Sequence, residues 1–209
     1  MTDARTTIVA RGYDALGEDY VAWAASFADP ARRRMLEAFS ARMAAGARVL
    51  DIGCGPGVPS TKGLANRFEI TGVDISETQL DAARRNVPEA TFVLGDLMLV
   101  DFAPGSFEGV TAFYSIIHVP CEEHRQLFQR VSRWLVPGGL FLATLSATDD
   151  PDWNGDWLGQ PMFFSGYEAD VNRELVAAAN FDLLIDDVME TQEPEGPASF
   201  LWVLAQRSD

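Results

Sequence analysis

Residues 47–57 read Ala-Arg-Val-Leu-Asp-Ile-Gly-Cys-Gly-Pro-Gly. A short apolar run that empties into glycines at alternate positions is a strand turning sharply at its end, because glycine enters the left-handed backbone region without a side-chain clash. A helix follows over 58–67, with Pro59 tolerated in its first turn. The alternation then repeats. Residues 69–73 form a run ending at Asp74, and Ser76 caps a helix through Asn86. Further strands are expected at 91–94, ending at Gly95-Asp96, at 109–114 and at 140–145. A helix over 122–135 is stopped by Pro137-Gly138-Gly139. Residues 148–166 read as a long polar and aromatic loop, and 168–180 as a helix. Two last strands, 181–190 and 199–206, flank Glu193-Pro194-Glu195-Gly196-Pro197. Strands alternating with helices predict an α/β, doubly wound sheet with parallel pairing and right-handed crossovers. The short link makes the final pair antiparallel. Ahead of this, residues 6–45 form two helices split at Asp29-Pro30, so residues 1–45 are expected as a helical lid and 46–209 as one compact unit.

Charge narrows the partners. Asp and Glu total 31 against 16 Lys and Arg, a formal net charge of −15. Such a surface repels phosphate backbones and anionic membranes, which argues against nucleic acid and membrane partners. The one basic cluster, Arg32-Arg33-Arg34, reads as a helix face. Two cysteines, Cys54 and Cys121, make no framework and read as free thiols in a reducing, cytoplasmic setting. No apolar run reaches the ~18 residues of a membrane span. The acidic first 30 residues do not resemble a signal peptide.

In open sheets of this class, ligands bind beyond the carboxyl ends of the strands. Three acidic residues stand there beside the glycine loop. Asp74 lies 17 residues after Gly57, where a carboxylate accepts from both hydroxyls of a ribose. Asp96 follows the third strand, placed for an adenine amino group. A dinucleotide site calls for G-x-G-x-x-G. The spacing here is G-x-G-x-G, at Gly53, Gly55 and Gly57, with Asp51 two residues upstream of the first. That favours a nucleoside cofactor without phosphates and with a cationic amino-acid end, which Asp51 favours indirectly.

VLDIGCGPG, ITGVDIS, FVLGD and LVPGGLFLATL, in that order between residues 49 and 145, resemble the class I methyltransferases that use S-adenosylmethionine and release S-adenosylhomocysteine. The resemblance implies a Rossmann-like sheet of seven strands, order 3-2-1-4-5-7-6, with the last strand inserted antiparallel. It implies that Gly53, Gly55 and Gly57 lie beside the methionine portion, with Cys54 packed inside the loop. Asp74 would bind the ribose, Ile75 would pack on the adenine, and Asp96 with Leu97 would bracket its edge. Ala112 and Phe113 would present carbonyls to the cofactor amine. Many members carry Asn or Asp near the end of the fourth strand, where this chain has Ala112-Phe113-Tyr114-Ser115. No Asp/Asn cluster follows that strand, so a metal-free transfer to an oxygen or nitrogen of a small molecule is expected, by a monomer or homodimer.

The acceptor side is read from aromatics. Tyr13 and Tyr20, seven residues apart, share a helix face and are assigned as a lid over the cofactor, with Trp23 the weaker candidate. Trp153, Trp157, Met162 and Phe163 in the 148–166 segment are assigned to an apolar acceptor pocket, although a small structural core would use the same residues. Trp202 reads as core. His118 is the candidate base, because imidazole titrates near neutrality, and Tyr114 is the second candidate. His124 reads as solvated on a helix face. Two other function classes fit the same fold: a nicotinamide-dependent oxidoreductase, disfavoured by the glycine spacing and by the lack of a Tyr-x-x-x-Lys pair, and a non-catalytic module that binds S-adenosylmethionine.

Overall fold

A computed structural model describes residues 3–26, 29–194 and 196–209, and in it the glycine-terminated run becomes strand β1 (Arg48–Ile52). β2 (Glu69–Asp74) and β4 (Phe107–Ala112) flank it in parallel. β3 (Thr91–Leu94) adds outside β2, and β5 (Leu135–Ser146) outside β4, both parallel. A last strand, β9 (Gly196–Arg207), then enters antiparallel between β5 and the edge strand β8 (Phe181–Glu193). The sheet order is β3-β2-β1-β4-β5-β9-β8, and a two-stranded hairpin, β6 (Asp150–Trp157) with β7 (Gln160–Gly166), stands apart. With the hairpin set aside this is the expected 3-2-1-4-5-7-6. β8 and β9 pair as far as Glu193 and Gly196, so their link is shorter than the expected 193–197, and residue 195 within it lies outside the described residues.

Neighbouring strand residues point to opposite faces, and the sheet is covered on both. On one side Leu50, Val110, Phe141 and Val203 pack with Phe128, Val131 and Trp134 of α5 (Cys121–Trp134) and Leu175 and Val176 of α6 (Ala169–Ala177). On the other side Val49, Ile70, Leu142 and Trp202 pack with Met35 and Phe39 of α2 (Pro30–Ser40) and Leu64 of α3 (Ser60–Ala65). Trp202 is core, as expected. α4 (Glu77–Asn86) is capped by Ser76, whose Oγ accepts the Gln79 N–H. Among the described residues no helix is long and apolar enough to cross a membrane.

The N-terminal helix α1 (Ala4–Ala25) kinks at Gly17. Its position is set by polar ties to α4. The Gln79 amide donates to the carbonyls of Tyr13 and Gly17, at 3.3 and 3.0 Å, and Asp14 accepts the Ser76 hydroxyl at 2.6 Å. Val9 and Leu16 of α1 bury against Met162 and Phe163 of β7. The contact is close enough at Gly12 that a Cβ there would meet the Met162 Cε at 2.7 Å.

Several expectations are corrected. Residues 150–166 form a hairpin instead of a loop, turning at Leu158 and Gly159, both at positive φ. α5 stops at Trp134 and the chain enters β5 at once, so Pro137-Gly138-Gly139 lies inside the strand and does not end the helix. β4 ends at Ala112, which leaves Phe113 and Tyr114 beyond the sheet, Tyr114 with φ 54°. His124 is buried, not solvated: it shares the inward face of α5 with Cys121, Leu127, Phe128 and Val131, and one ring nitrogen bonds the Val119 carbonyl at 2.8 Å. The arginine cluster is not one face, because consecutive helix residues point apart. Arg33 and Arg34 are exposed, whereas Arg32 turns inward.

Candidate active site

The residues that follow β1, β2, β3 and β4 meet around one cavity. Gly53 turns into it at φ +69°, and a Cβ there would stand 2.1 Å from the Ser115 Cβ. Ser115 is itself fixed, its hydroxyl donating to the Ile52 carbonyl at 2.8 Å. The loop therefore presents bare backbone to the cavity. Asp74 closes the next side. Its two carboxylate oxygens receive the Gly55 and Ser76 N–H groups, at 2.8 and 2.9 Å. Burial outweighs these donors and pushes its pKa up to about 6. Each carboxylate oxygen still has a lone pair to offer. Ile75, Asp96 and Leu97 line the cavity beyond it, with Asp96 braced by the Met98 N–H at 2.8 Å. Phe113, Tyr13 and Tyr20 complete the expected set around this space.

Three residues expected beside the same ligand take other places. Gly57 packs on α4, where a Cβ would press on Val87 and Ala83 at 3.1 and 3.3 Å. Asp51 and Cys54 border a smaller pocket that shares Tyr20, Gly53, Gly55, Phe113 and Tyr114 with the first cavity. Asp51 is buried with its oxygens taking the hydroxyls of Thr61 and Thr111, at 2.6 and 2.7 Å, and burial raises its pKa against those two bonds. Burial likewise raises the Cys54 thiol well above its usual range, so it stays protonated.

A second cavity adjoins the first. Tyr13, Tyr20, Tyr114 and His118 border both, so the two spaces meet at this wall. His118 sits in the short 3-10 turn Ile116–His118. Its Nδ1 faces the Phe163 carbonyl at 2.8 Å, and its Nε2 faces the Tyr13 hydroxyl at 2.8 Å. A carbonyl only accepts, so Nδ1 carries the proton and Nε2 accepts from Tyr13. Desolvation pulls the imidazole down to about 4, despite the carbonyl, and keeps it neutral. Burial holds the Tyr13 phenol well above its usual range and takes Tyr20 to about 12. Tyr114 donates its hydroxyl to Asp29 at 2.7 Å, and burial, then the Asp29 charge, raises its pKa.

The second cavity takes Trp157 from the hairpin, as expected, but not its other assigned residues. Met162 and Phe163 are fully buried against α1, and Trp153 packs on Phe164 at 5.4 Å between ring centroids. Phe164, the next residue of β7, lines the cavity in place of Phe163. Phe200, Glu193, Asp150 and Arg32 line it too and were not foreseen. Arg32 is paired with Asp29 at 3.1 Å and lies over the Tyr114 ring at 4.9 Å. The only signal for Arg32 was its place one turn after Asp29-Pro30, a helix start that fixes which arginine faces the sheet.

Residues 49–139 match the family described as a methyltransferase domain. Methyltransferase GfsG of Streptomyces halstedii is 33% identical over 185 residues, which cover 80% of this chain and 66% of that protein. The trans-aconitate 2-methyltransferase of Variovorax paradoxus is 42% identical over 100 residues, 45% of this chain and 36% of that protein. The chain thus spans between about a third and two thirds of the length of these curated relatives. A crystal structure of Burkholderia thailandensis 1,6-didemethyltoxoflavin-N1-methyltransferase, with 1,6-didemethyltoxoflavin and S-adenosylhomocysteine bound, aligns over 100% of this chain and 92% of its own, with a TM-score of 0.75 at 20% identity. At that identity the likeness is one of fold.

Proposed function

The chain belongs to the class I S-adenosylmethionine-dependent methyltransferases, and on that footing we propose that it moves a methyl group from S-adenosylmethionine to an oxygen or nitrogen of a small molecule. The observation that carries this reading is the shared wall: a cavity built for a nucleoside and an aromatic cavity meet at Tyr13, Tyr20, Tyr114 and His118. The residues present fit the cofactor. Asp74 offers two buried acceptor oxygens to a ribose, and Gly53 and Gly55 border the same cavity without a side chain. Ile75 offers an apolar side to the adenine, with Asp96 and Leu97 at its edge. Asp51 acts through its charge, since its oxygens already hold two hydroxyls.

When bound, S-adenosylmethionine supplies an already activated methyl group on its sulfonium. The chain's own task is then to align the acceptor and exclude water, and orientation of this kind supplies about 7 kcal/mol or more. Residues 1–45 act as a lid over the unit 46–209, because α1 contributes Tyr13 and Tyr20 to the wall and Trp23 to the acceptor side. The Tyr13–His118 pair stiffens that wall. The acidic surface supports a small-molecule acceptor in preference to nucleic acid. The two buried free thiols support a reducing, cytoplasmic setting for a monomer or homodimer.

The test is acceptor-dependent formation of S-adenosylhomocysteine. Incubation with S-adenosylmethionine and a panel of phenols, amines and N-heterocycles is expected to release it with at least one member, with the acceptor gaining one methyl by mass. Cofactor binding with no transfer to any panel member would favour the non-catalytic module instead.

A further inference from the structure

The two side chains best placed to remove a proton at the shared wall are both committed. His118 is neutral, with each ring nitrogen in a hydrogen bond, and Tyr114 donates to Asp29. A hydroxyl acceptor sheds a proton as it takes a methyl group, and a carboxylate acceptor would meet Glu193 and Asp150 in the same lining. A nitrogen acceptor in its free-base form does not. Its lone pair forms the new N–C bond as the C–S bond breaks, the bonding pair stays on sulfur, and the positive charge passes from sulfur to nitrogen. No proton moves in that step, and the product side holds a cation.

The second cavity is made to receive one. Tyr20 and Trp23 lie nearly parallel, at 21° with centroids 6.1 Å apart. Trp157 stands across them, at 77° to Trp23 and 5.2 Å away, and at 57° to Tyr20. Three rings that line one cavity thus meet as a corner, and the face of an aromatic ring attracts a cation. Carboxylates add to this. Glu193 and Asp150 line the cavity, and Glu193 sits near enough to raise both the Tyr13 and Tyr20 phenols by its charge. The one cation in the lining, Arg32, is already answered by Asp29 at 3.1 Å and by the Tyr114 ring.

We propose that the acceptor is a nitrogen base with an apolar or aromatic body, and that the corner of Tyr20, Trp23 and Trp157 holds the ammonium that methylation creates. The proposal rests on the methyltransferase reading for its chemistry. The cation preference of the cavity can be measured without turnover. A cation favoured over a neutral acceptor of equal shape also lowers the barrier, because the charge develops on nitrogen in the transition state.

The experiment titrates an isosteric pair, (4-hydroxyphenyl)trimethylammonium and 4-tert-butylphenol, and the anion 4-hydroxybenzoate by calorimetry into the free protein and into the protein loaded with S-adenosylhomocysteine. The cation is expected to bind about tenfold more tightly than its neutral isostere, with the anion weakest. Trp157→Leu should erase that preference and Trp157→Phe should keep most of it. Trp23→Leu, on the lid and outside the hairpin, guards against a folding defect, and unchanged S-adenosylhomocysteine affinity certifies each variant. Equal binding of cation and isostere, tightest binding of the benzoate on Arg32, or binding of none of the three would each overturn the proposal. Failure of S-adenosylhomocysteine to bind would refute the methyltransferase reading, while the titrations of the free protein would still decide the cation site.

Discussion

Replacing Asp74 by Asn tests the cofactor cavity with a worked magnitude. In the free protein burial raises the carboxyl from 3.8 to about 6, so ionising it costs about 3 kcal/mol more than in water, at 1.36 kcal/mol per pH unit. That cost is borne because the charged form accepts strongly. Hydrogen bonds to a charged group contribute about 1.5–3 kcal/mol each. Asn keeps one acceptor oxygen and loses the charge, so a loss of about 2–3 kcal/mol is expected, or roughly 30- to 150-fold in affinity. The pH dependence carries the sign. Bound hydroxyls favour the ionised carboxylate, so binding releases a proton below pH 6. The affinity of the parent protein should rise by up to about tenfold per unit toward pH 6 and then level, whereas the Asn variant should be flat. Calorimetry with S-adenosylhomocysteine from pH 5 to 8 reads this directly, because that ligand does not titrate in the range. Stability moves the other way. A carboxyl with a raised folded pKa favours the fold while protonated, and that contribution fades as pH climbs from about 4 to 6. An Asn variant that binds within threefold of the parent at pH 7.5, or a parent affinity flat across the range, would refute the reasoning.

Four further outcomes are expected. Gly53→Ala should abolish measurable cofactor binding and lower the melting temperature, because it adds a left-handed penalty of about 1 kcal/mol to a 2.1 Å contact with Ser115; calorimetry and a thermal melt check both. His118 should leave no inflection near pH 6.5 in the pH–kcat profile, because desolvation has moved its titration to about 4; an inflection that His118→Asn removes would contradict this. The stabilisation from its neutral ring is present above pH 6.5 and lost as pH falls toward 4, which denaturant titrations of the parent and His118→Asn at pH 4.5 and 7.5 would reveal. Phe163→Ala should cost about 3–5 kcal/mol of stability as a core truncation in denaturant unfolding, with cofactor affinity changed little.

The sheet was legible because its signals are local. Each of Asp51, Asp74 and Asp96 ends or follows an apolar run, and parallel strands place such ends along one side. The hairpin was not legible. Its turn uses Leu158 at φ 53°, where hairpins ordinarily use Asn or Gly, and Pro151 and Gly155 interrupt the alternation of β6. Without the hairpin, Met162 and Phe163 cannot be told from Phe164, since the packing of α1 on β7 decides which of them is fully covered. His124 was readable: spacings of three, four and seven to Cys121, Leu127, Phe128 and Val131 put it on the buried face. Arg32 comes from α2, and Glu193 and Phe200 from the β8–β9 pair more than 150 residues later, and only the assembled sheet brings them to one cavity.

The central claim is that the cavity beside Gly53 and Asp74 takes an adenosyl-amino acid and not a dinucleotide. The most direct measurement is calorimetric titration of the purified protein with S-adenosylmethionine, S-adenosylhomocysteine and NAD. Binding of the first two in the micromolar range with no heat from the third is the predicted result. Binding of NAD with none of the other two would contradict the account and return Asp74 to a dinucleotide ribose.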